Sequence, residues 1–198
     1  MSNKQDHSDI SCELCAERLP KIGCTALSCP FFKERLKAGL VGYQELIAQS
    51  FPYHQSMTFR LQRLVRFFSG TVWRDEGHQR RFLQMLSFCN PMFATYAYQA
   101  ALYLLTADEN LYQNSSRCFL RNGLTLRYME KHSMTPDEYT LYTYAKKLYS
   151  GKTDFLSAEL DEVWEAAPCM FSYIVNVIMI AKHGGAVLEI TQAINKKK

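Results

Sequence analysis

Most of the signatures that announce an enzyme are missing from this chain. No glycine-rich loop followed by Lys and Ser or Thr is present to cradle a phosphate; the nearest approach, Gly39-Leu40-Val41-Gly42, lacks both. There is no His-Glu-x-x-His and no Gly-x-Ser-x-Gly. The five histidines, His7, His54, His78, His132 and His183, are scattered without ligand spacing. Asp161, Glu162 and Glu165 lie on an acidic helical stretch rather than in a nuclease-like cluster. These absences favour a protein that binds over one that turns over a substrate, so a non-enzymatic role with no small-molecule substrate is expected.

Other things are scarce. The longest apolar run, around Met170 to Ala181, is interrupted by Ser172 and Asn176 and is shorter than a bilayer demands, so no membrane association is expected. The N-terminal MSNKQDHSDI is polar and lacks the apolar core of a secretory leader, which points to a reducing, cytoplasmic compartment. Charge excess is small, a formal net +4 with a pI near 8.6. That excludes an acidic mimic of DNA and is too little by itself to argue for nucleic-acid binding.

What is present begins with cysteine. Four of the seven stand close together in SCELCAERLPKIGCTALSCP, as Cys12-x2-Cys15-x8-Cys24-x4-Cys29. Two thiolates bent round a tight turn hold two corners of a tetrahedron, and a second pair across a short loop completes it; this is the ligand set of a closed structural zinc site. An iron–sulfur cluster uses similar ligands, and two disulfides would need an oxidising compartment to which nothing points. His7 and His54 are substitute ligands should one cysteine be out of reach. Four filled positions leave no room for water or substrate, so the metal is read as a scaffold. The other three, Cys89, Cys118 and Cys169, have apolar neighbours and are expected as buried free thiols.

The remainder reads as helix. With 47% hydrophobic and 21% charged residues a packed core is within reach, and the 13% of aromatics suit a core built on large rings. FFKERLKAG and GYQELIAQSF predict two short helices about Gly39, an αα-hairpin arm. MTFRLQRLVRFFSG is amphipathic, with Met57, Leu61, Leu64 and Phe68 on one face and Arg60, Arg63 and Arg66 on the other. EGHQRRFLQMLSFC follows, with Phe82, Met85, Leu86 and Cys89 expected inward and His78, Arg80 and Arg81 towards solvent. MFATYAYQAALYLLT is apolar almost throughout and is expected at the centre of the larger domain. Thr106 and Glu109 suggest a capping box opening the next helix, and LTLRY after Asn122-Gly123 a short strand. Thr135-Pro136-Asp137-Glu138 is the clearest helix start, and Pro168 opens the last long helix, which Gly184-Gly185 ends. VLEITQAI reads equally as strand or helix.

The fold class expected is therefore mainly α: a short four-cysteine zinc module with its arm over residues 1–54, then a bundle of roughly six to eight helices over residues 55–198. One local charge asymmetry stands out. Arg60, Arg63, Arg66, Arg74, Arg80 and Arg81 fall close together against only Asp75 and Glu76. They form either a solvated helical face or a basic patch for an acidic protein surface or nucleic acid.

The arrangement CELCAERLPKIGCTALSCPFFKERLKAG, YQELIAQSF and FSGTVWRDEGHQRRF, with AALYLLTADENLYQNSSRCF and LYTYAKKLYSG further on, resembles small zinc-binding proteins carried on mobile genetic elements of gut Firmicutes. Proteins of such elements, including those of phages, include anti-CRISPR inhibitors. The resemblance implies a zinc-containing inhibitor that binds a type II RNA-guided DNA nuclease at a protein surface and blocks DNA loading or a domain movement. The alternative is a nucleic-acid-binding accessory or regulatory protein of a mobile element, in which the zinc module and the arginines touch phosphates.

Overall fold

The computed structural model describes residues 31–129 and 134–193 and, of the preceding stretch, the backbone of Arg18–Leu19 and Gly23–Cys24. Among the described residues the chain is mainly helical, and its strands are two-residue pairs. None of the described helices is long and apolar enough to cross a membrane. The described residues fall into two compact units, 31–71 with 189–193, and Val72–Leu188. The amphipathic Arg60–Arg66 helix, which the sequence groups with the later helices, lies in the first.

In the first unit, strands β1 (Arg18–Leu19) and β2 (Gly23–Cys24) pair antiparallel, with Arg18 opposite Cys24. Helices α1 (Phe32–Lys37) and α2 (Tyr43–Ser50) form the expected arm. Gly39 ends α1 in a left-handed turn at φ +68°, so that the Leu40 N–H reaches the Arg35 carbonyl and the Gly39 N–H that of Leu36. This double bond closes two of the carbonyls that a helix end leaves open. Tyr43, Leu46 and Ile47 are buried on one face of α2, as their spacing predicts. Arg35 crosses from α1 to meet Glu45 of α2 with both terminal guanidinium nitrogens, at 2.5 and 3.1 Å. Helix α3 (Thr58–Arg66) buries Leu61 beside Met57, and the Phe68 ring just past its end stacks on Tyr43 at 4.2 Å. Over its described residues the VLEITQAI segment is neither a regular strand nor an α-helix: a 3-10 turn over Gly185–Glu189 leads to irregular chain. There the Gln192 and Ala193 carbonyls accept the Tyr43 and Gln44 N–H groups at the start of α2.

Val72–Leu188 is organised on α5 (Tyr96–Thr106), which is buried from Ala100 to Thr106 and packs against α4 (Glu76–Phe88), α7 (Pro136–Tyr149) and α9 (Phe171–His183). A helix apolar on every side has to be covered on every side, and its neighbours do this. The expected capping box at the head of α7 is present: the Thr135 hydroxyl accepts the Glu138 N–H and the Glu138 carboxylate accepts that of Thr135. The one suggested at Thr106 is not. Thr106 is the last residue of α5, its hydroxyl donating to the Leu102 carbonyl, and Asp108 caps α6 (Glu109–Asn114) by accepting from Asn110 and Leu111. A carboxylate two residues nearer the helix outcompetes the hydroxyl for its free N–H groups.

The strand expected at LTLRY is shorter than read. Only Gly123–Leu124 (β4) is extended, and it pairs with Phe119–Leu120 (β3) before Leu126–Tyr128 turns into 3-10 helix. The hairpin is pinned to α7 by the Leu124 N–H donating to the Tyr149 hydroxyl at 2.9 Å. Helix α8 (Ser157–Ala166) is tied to α7 through the Tyr144 hydroxyl, which donates to the Glu159 carbonyl at 2.9 Å. At the end of α9, Gly184 takes φ +82° and its Cα lies against the Tyr96 ring, where a Cβ would collide. Cys89 and Cys118 are buried as expected, whereas Cys169 is exposed. It sits in the 3-10 turn Pro168–Met170 ahead of α9, not inside the helix, and so escapes the core.

Candidate binding surface

Of the four proposed zinc ligands, Cys12, Cys15 and Cys29 lie outside the described residues, and Cys24 is described by its backbone alone, in β2. Among the described residues no group of three or more His, Cys, Asp and Glu side chains is gathered as a metal site would need. His54, the substitute ligand within the described chain, sits edge-on to the Phe51 ring at 5.4 Å.

The six arginines divide between the two units. Arg60, Arg63 and Arg66 are on α3; Arg74 precedes α4, and Arg80 and Arg81 are on it. Two of the second group are committed inside their own unit. The Arg81 guanidinium donates to the Thr106 carbonyl at 2.9 Å and to Glu109 at 2.6 Å. Arg74 donates to the Ala107 carbonyl at 3.3 Å and to Asp108 at 3.1 Å. Both therefore sit where the C-terminus of α5 presents its negative end and α6 opens with two acids, a place where cations are stabilising. The sequence signal for this was the pair Asp108-Glu109 directly after the apolar helix. Arg80 is exposed.

On α3 the arginines share their exposed side with rings that the sequence reading passed over. Phe59 is 76% exposed and Phe67 69%. Residues 59, 63, 66 and 67 follow the helical repeat, so they fall along one face. The Arg63 and Arg66 guanidinium groups lie 5.9 and 5.7 Å from the centre of the Phe67 ring, within range of cation–π attraction. Both rings fall off the Met57–Leu61 stripe that faces inward, and this was the signal that they point outward. The result is a short helix face of two exposed aromatic rings and at least two guanidinium groups.

His78 departs most from expectation, being buried rather than solvent-facing. It lies one helical turn before the buried Phe82, on the same face of α4. Its Nε2–H donates to the Tyr103 carbonyl at 2.8 Å and its Nδ1 accepts the Arg74 N–H at 3.2 Å. Trp73 and Tyr103 close on it, the Trp73 ring edge-on at 5.0 Å, and Phe82 packs against Trp73 in turn. Burial, reinforced by the charges of Arg81 and Arg74 and opposed by the Tyr103 hydrogen bond and Asp75, pushes its pKa down to about 4. A neutral imidazole sealed in this way holds α4 to α5; it does not face a substrate.

Asn110, Gln113, Asn114, Thr135 and Glu138 line a shallow polar cleft of about 370 Å³. The Glu138 carboxylate there is occupied as the helix cap of α7. Compared with protein-family profiles, with curated proteins and with solved structures, the chain matches none.

Proposed function

We propose that this chain is a non-enzymatic, zinc-containing binding protein that docks onto an acidic surface of a partner protein through the exposed face of α3. The observation that carries the reading is the juxtaposition of Phe59 and Phe67 with Arg63 and Arg66. Aromatic rings and arginines are the side chains that dominate protein–protein hot spots, because each buries a large area at low entropic cost and arginine adds directed donors. A net charge of only +4 gives little reason to expect a polyanion, and this favours a protein surface over nucleic acid. Zinc held by Cys12, Cys15, Cys24 and Cys29 serves as scaffold. The antiparallel pairing of Arg18 with Cys24 supports it, since the chain folds back between the first cysteine pair and Cys24, as a two-plus-two ligand set requires.

The specific partner proposed is a type II RNA-guided DNA nuclease, with the chain acting as an anti-CRISPR inhibitor. A net charge of +4 is wrong for imitating DNA in a basic channel, so inhibition would proceed by occupying a protein surface and obstructing DNA loading or a domain movement. The test is cleavage of duplex DNA by several purified, guide-loaded type II nucleases with excess chain. Inhibition that Arg63→Glu with Arg66→Glu removes supports the proposal. Unchanged cleavage across all orthologues sinks the choice of partner. The second reading, an accessory protein of a mobile element that grips nucleic acid, rests on the same arginines. It predicts binding to duplex or single-stranded DNA with a steep salt dependence, and no binding at low salt removes it.

A further inference from the structure

Two long stretches of Val72–Leu188, residues 77–107 and 110–129, contain no Asp or Glu. The fold brings parts of both together at one corner. After α4 the chain turns at Asn90, whose N–H donates to the Arg121 carbonyl at 2.8 Å, and the Cys89 thiol reaches the same carbonyl at 3.7 Å. The tip of the β3–β4 hairpin is thereby fixed beside the end of α4, with the Arg121 guanidinium 5.3 Å from the centre of the Phe88 ring. The turn itself is held: the Asn90 side chain accepts the Met92 N–H at 3.0 Å and its carbonyl accepts the Phe93 N–H at 2.9 Å. On this braced backbone Phe88, Met92, Phe93 and Leu120 are all exposed, Met92 to 81%.

We infer that this corner is a second docking surface, one that takes a protein segment combining acidic with apolar residues. Four apolar side chains beside one exposed guanidinium have the make-up of a protein interface, an apolar centre with a charged margin. The absence of carboxylates from both stretches leaves the field of Arg121 unopposed by near neighbours in sequence, which selects an acidic occupant. A phosphate backbone is a poorer match, since it rewards a row of cations rather than four uncharged side chains round one. A second copy is also poorer: a two-fold pair through this corner would set Arg121 against Arg121 with no acid of either stretch between them. The braced turn lowers the entropic cost of docking, because the backbone is already held as it would be when bound. This surface belongs to Val72–Leu188 and rests on no part of the nuclease reading.

The test is to pan the immobilised full chain against a library of short random peptides and to measure one synthesised, enriched peptide by fluorescence anisotropy. The expected peptides carry Asp or Glu together with Leu, Phe, Tyr or Trp. Their affinity should fall by at least about tenfold in Arg121→Glu and in Met92→Asp, the loss typical of a hot-spot residue. Both positions are exposed, and circular dichroism verifies that the variants fold. Phe67→Ser on α3 should leave this binding unchanged, which separates failure here from failure of the proposed function. No enrichment, enriched peptides without acids, or affinity indifferent to both variants would overturn the inference. So would binding of an oligothymidylate probe that Arg121→Glu abolishes, or self-association of the chain that Met92→Asp abolishes.

Discussion

The His78 ring donates from Nε2 to the Tyr103 carbonyl at 2.8 Å, which joins α4 to α5. Its other nitrogen accepts the Arg74 N–H, and protonation there would set two donors against each other. The Tyr103 hydroxyl in turn donates to the Val72 carbonyl, so the contact belongs to a polar thread through an otherwise aromatic cluster.

This arrangement makes stability depend on pH in a definite direction. In the native state the ring takes a proton only near pH 4, against an ordinary value of 6.5. Below 6.5 the unfolded chain therefore binds a proton that the folded one refuses, and stability present above that pH is lost as it falls towards 4. The loss attributable to this residue is at most about 3 kcal/mol. Urea unfolding between pH 4 and 7 followed by tryptophan fluorescence should show it, since Trp73 packs on the ring. His78→Gln should be less stable at pH 7 but flatter across that range. An equally steep profile in the variant would assign the effect to other groups.

In the arm, Arg35 and Glu45 form a two-pronged ion pair, their side chains only 5% and 11% exposed. Breaking such a pair from one side strands a charge in a poorly solvated place and typically costs about 3–5 kcal/mol, whereas replacing both partners by apolar residues is often neutral. Glu45→Ala is accordingly expected to loosen α1 and α2 markedly, and Arg35→Met with Glu45→Leu to restore most of the loss. Both tryptophans lie in Val72–Leu188, so amide hydrogen exchange of α1 and α2 is the proper measurement. Two variants equally damaged would show that the pair is there for something other than electrostatic satisfaction.

The helices were legible wherever local chemistry decides them. Thr135-Pro136 with Glu138 announces α7 because cap, proline and carboxylate act within one turn, and the apolar run of α5 announces a buried centre. What misled was polarity used in place of spacing. His78 stands on the buried face by its distance from Phe82, yet its polar ring suggested solvent; the partners that satisfy it, Tyr103 and Arg74, include one far away in sequence. Arg74 and Arg81 likewise find their carboxylates at Asp108 and Glu109, on another helix. Of the hairpin, the strand beginning at Leu124 was legible, though read too long, whereas its partner Phe119–Leu120 was not, because two residues are too few to show alternation. Of the candidate contact face, the arginines of α3 were visible, but Phe59 and Phe67 were passed over, although both fall off the Met57–Leu61 stripe.

The commitment of Arg81 gives a direct contrast with its neighbour. Arg81→Ala removes hydrogen bonds to the Thr106 carbonyl and to Glu109 at the junction of α5 and α6, and should lower stability by about 1–2 kcal/mol, within the range known for a partly buried cation at a helix C-terminus. Arg80 is exposed, and Arg80→Ala should leave stability within the scatter expected of surface substitutions, about 0.5 kcal/mol. Thermal melts of the two variants side by side decide it. Equal effects would mean that the Arg81 contacts carry no net stability.

On the proposed zinc assignment, removal of the metal is expected to unfold little beyond its own neighbourhood. A segment of this length cannot bury a core, so its ligands must supply its folding free energy. Elemental analysis of the purified chain is expected to return about one zinc per molecule, the stoichiometry of a closed four-thiolate site. Cys12→Ser with Cys15→Ser should abolish it, because two of four thiolates are lost together. The helices of Val72–Leu188 have their own buried centre in α5 and α9, so circular dichroism and the tryptophan signal should survive the substitution almost intact. Metal retained by the double variant would refute the ligand set. Loss of the helical signal along with the metal would show instead that the cysteine segment is needed to hold the larger unit together, and its role would then be core stability rather than a scaffold for the arm.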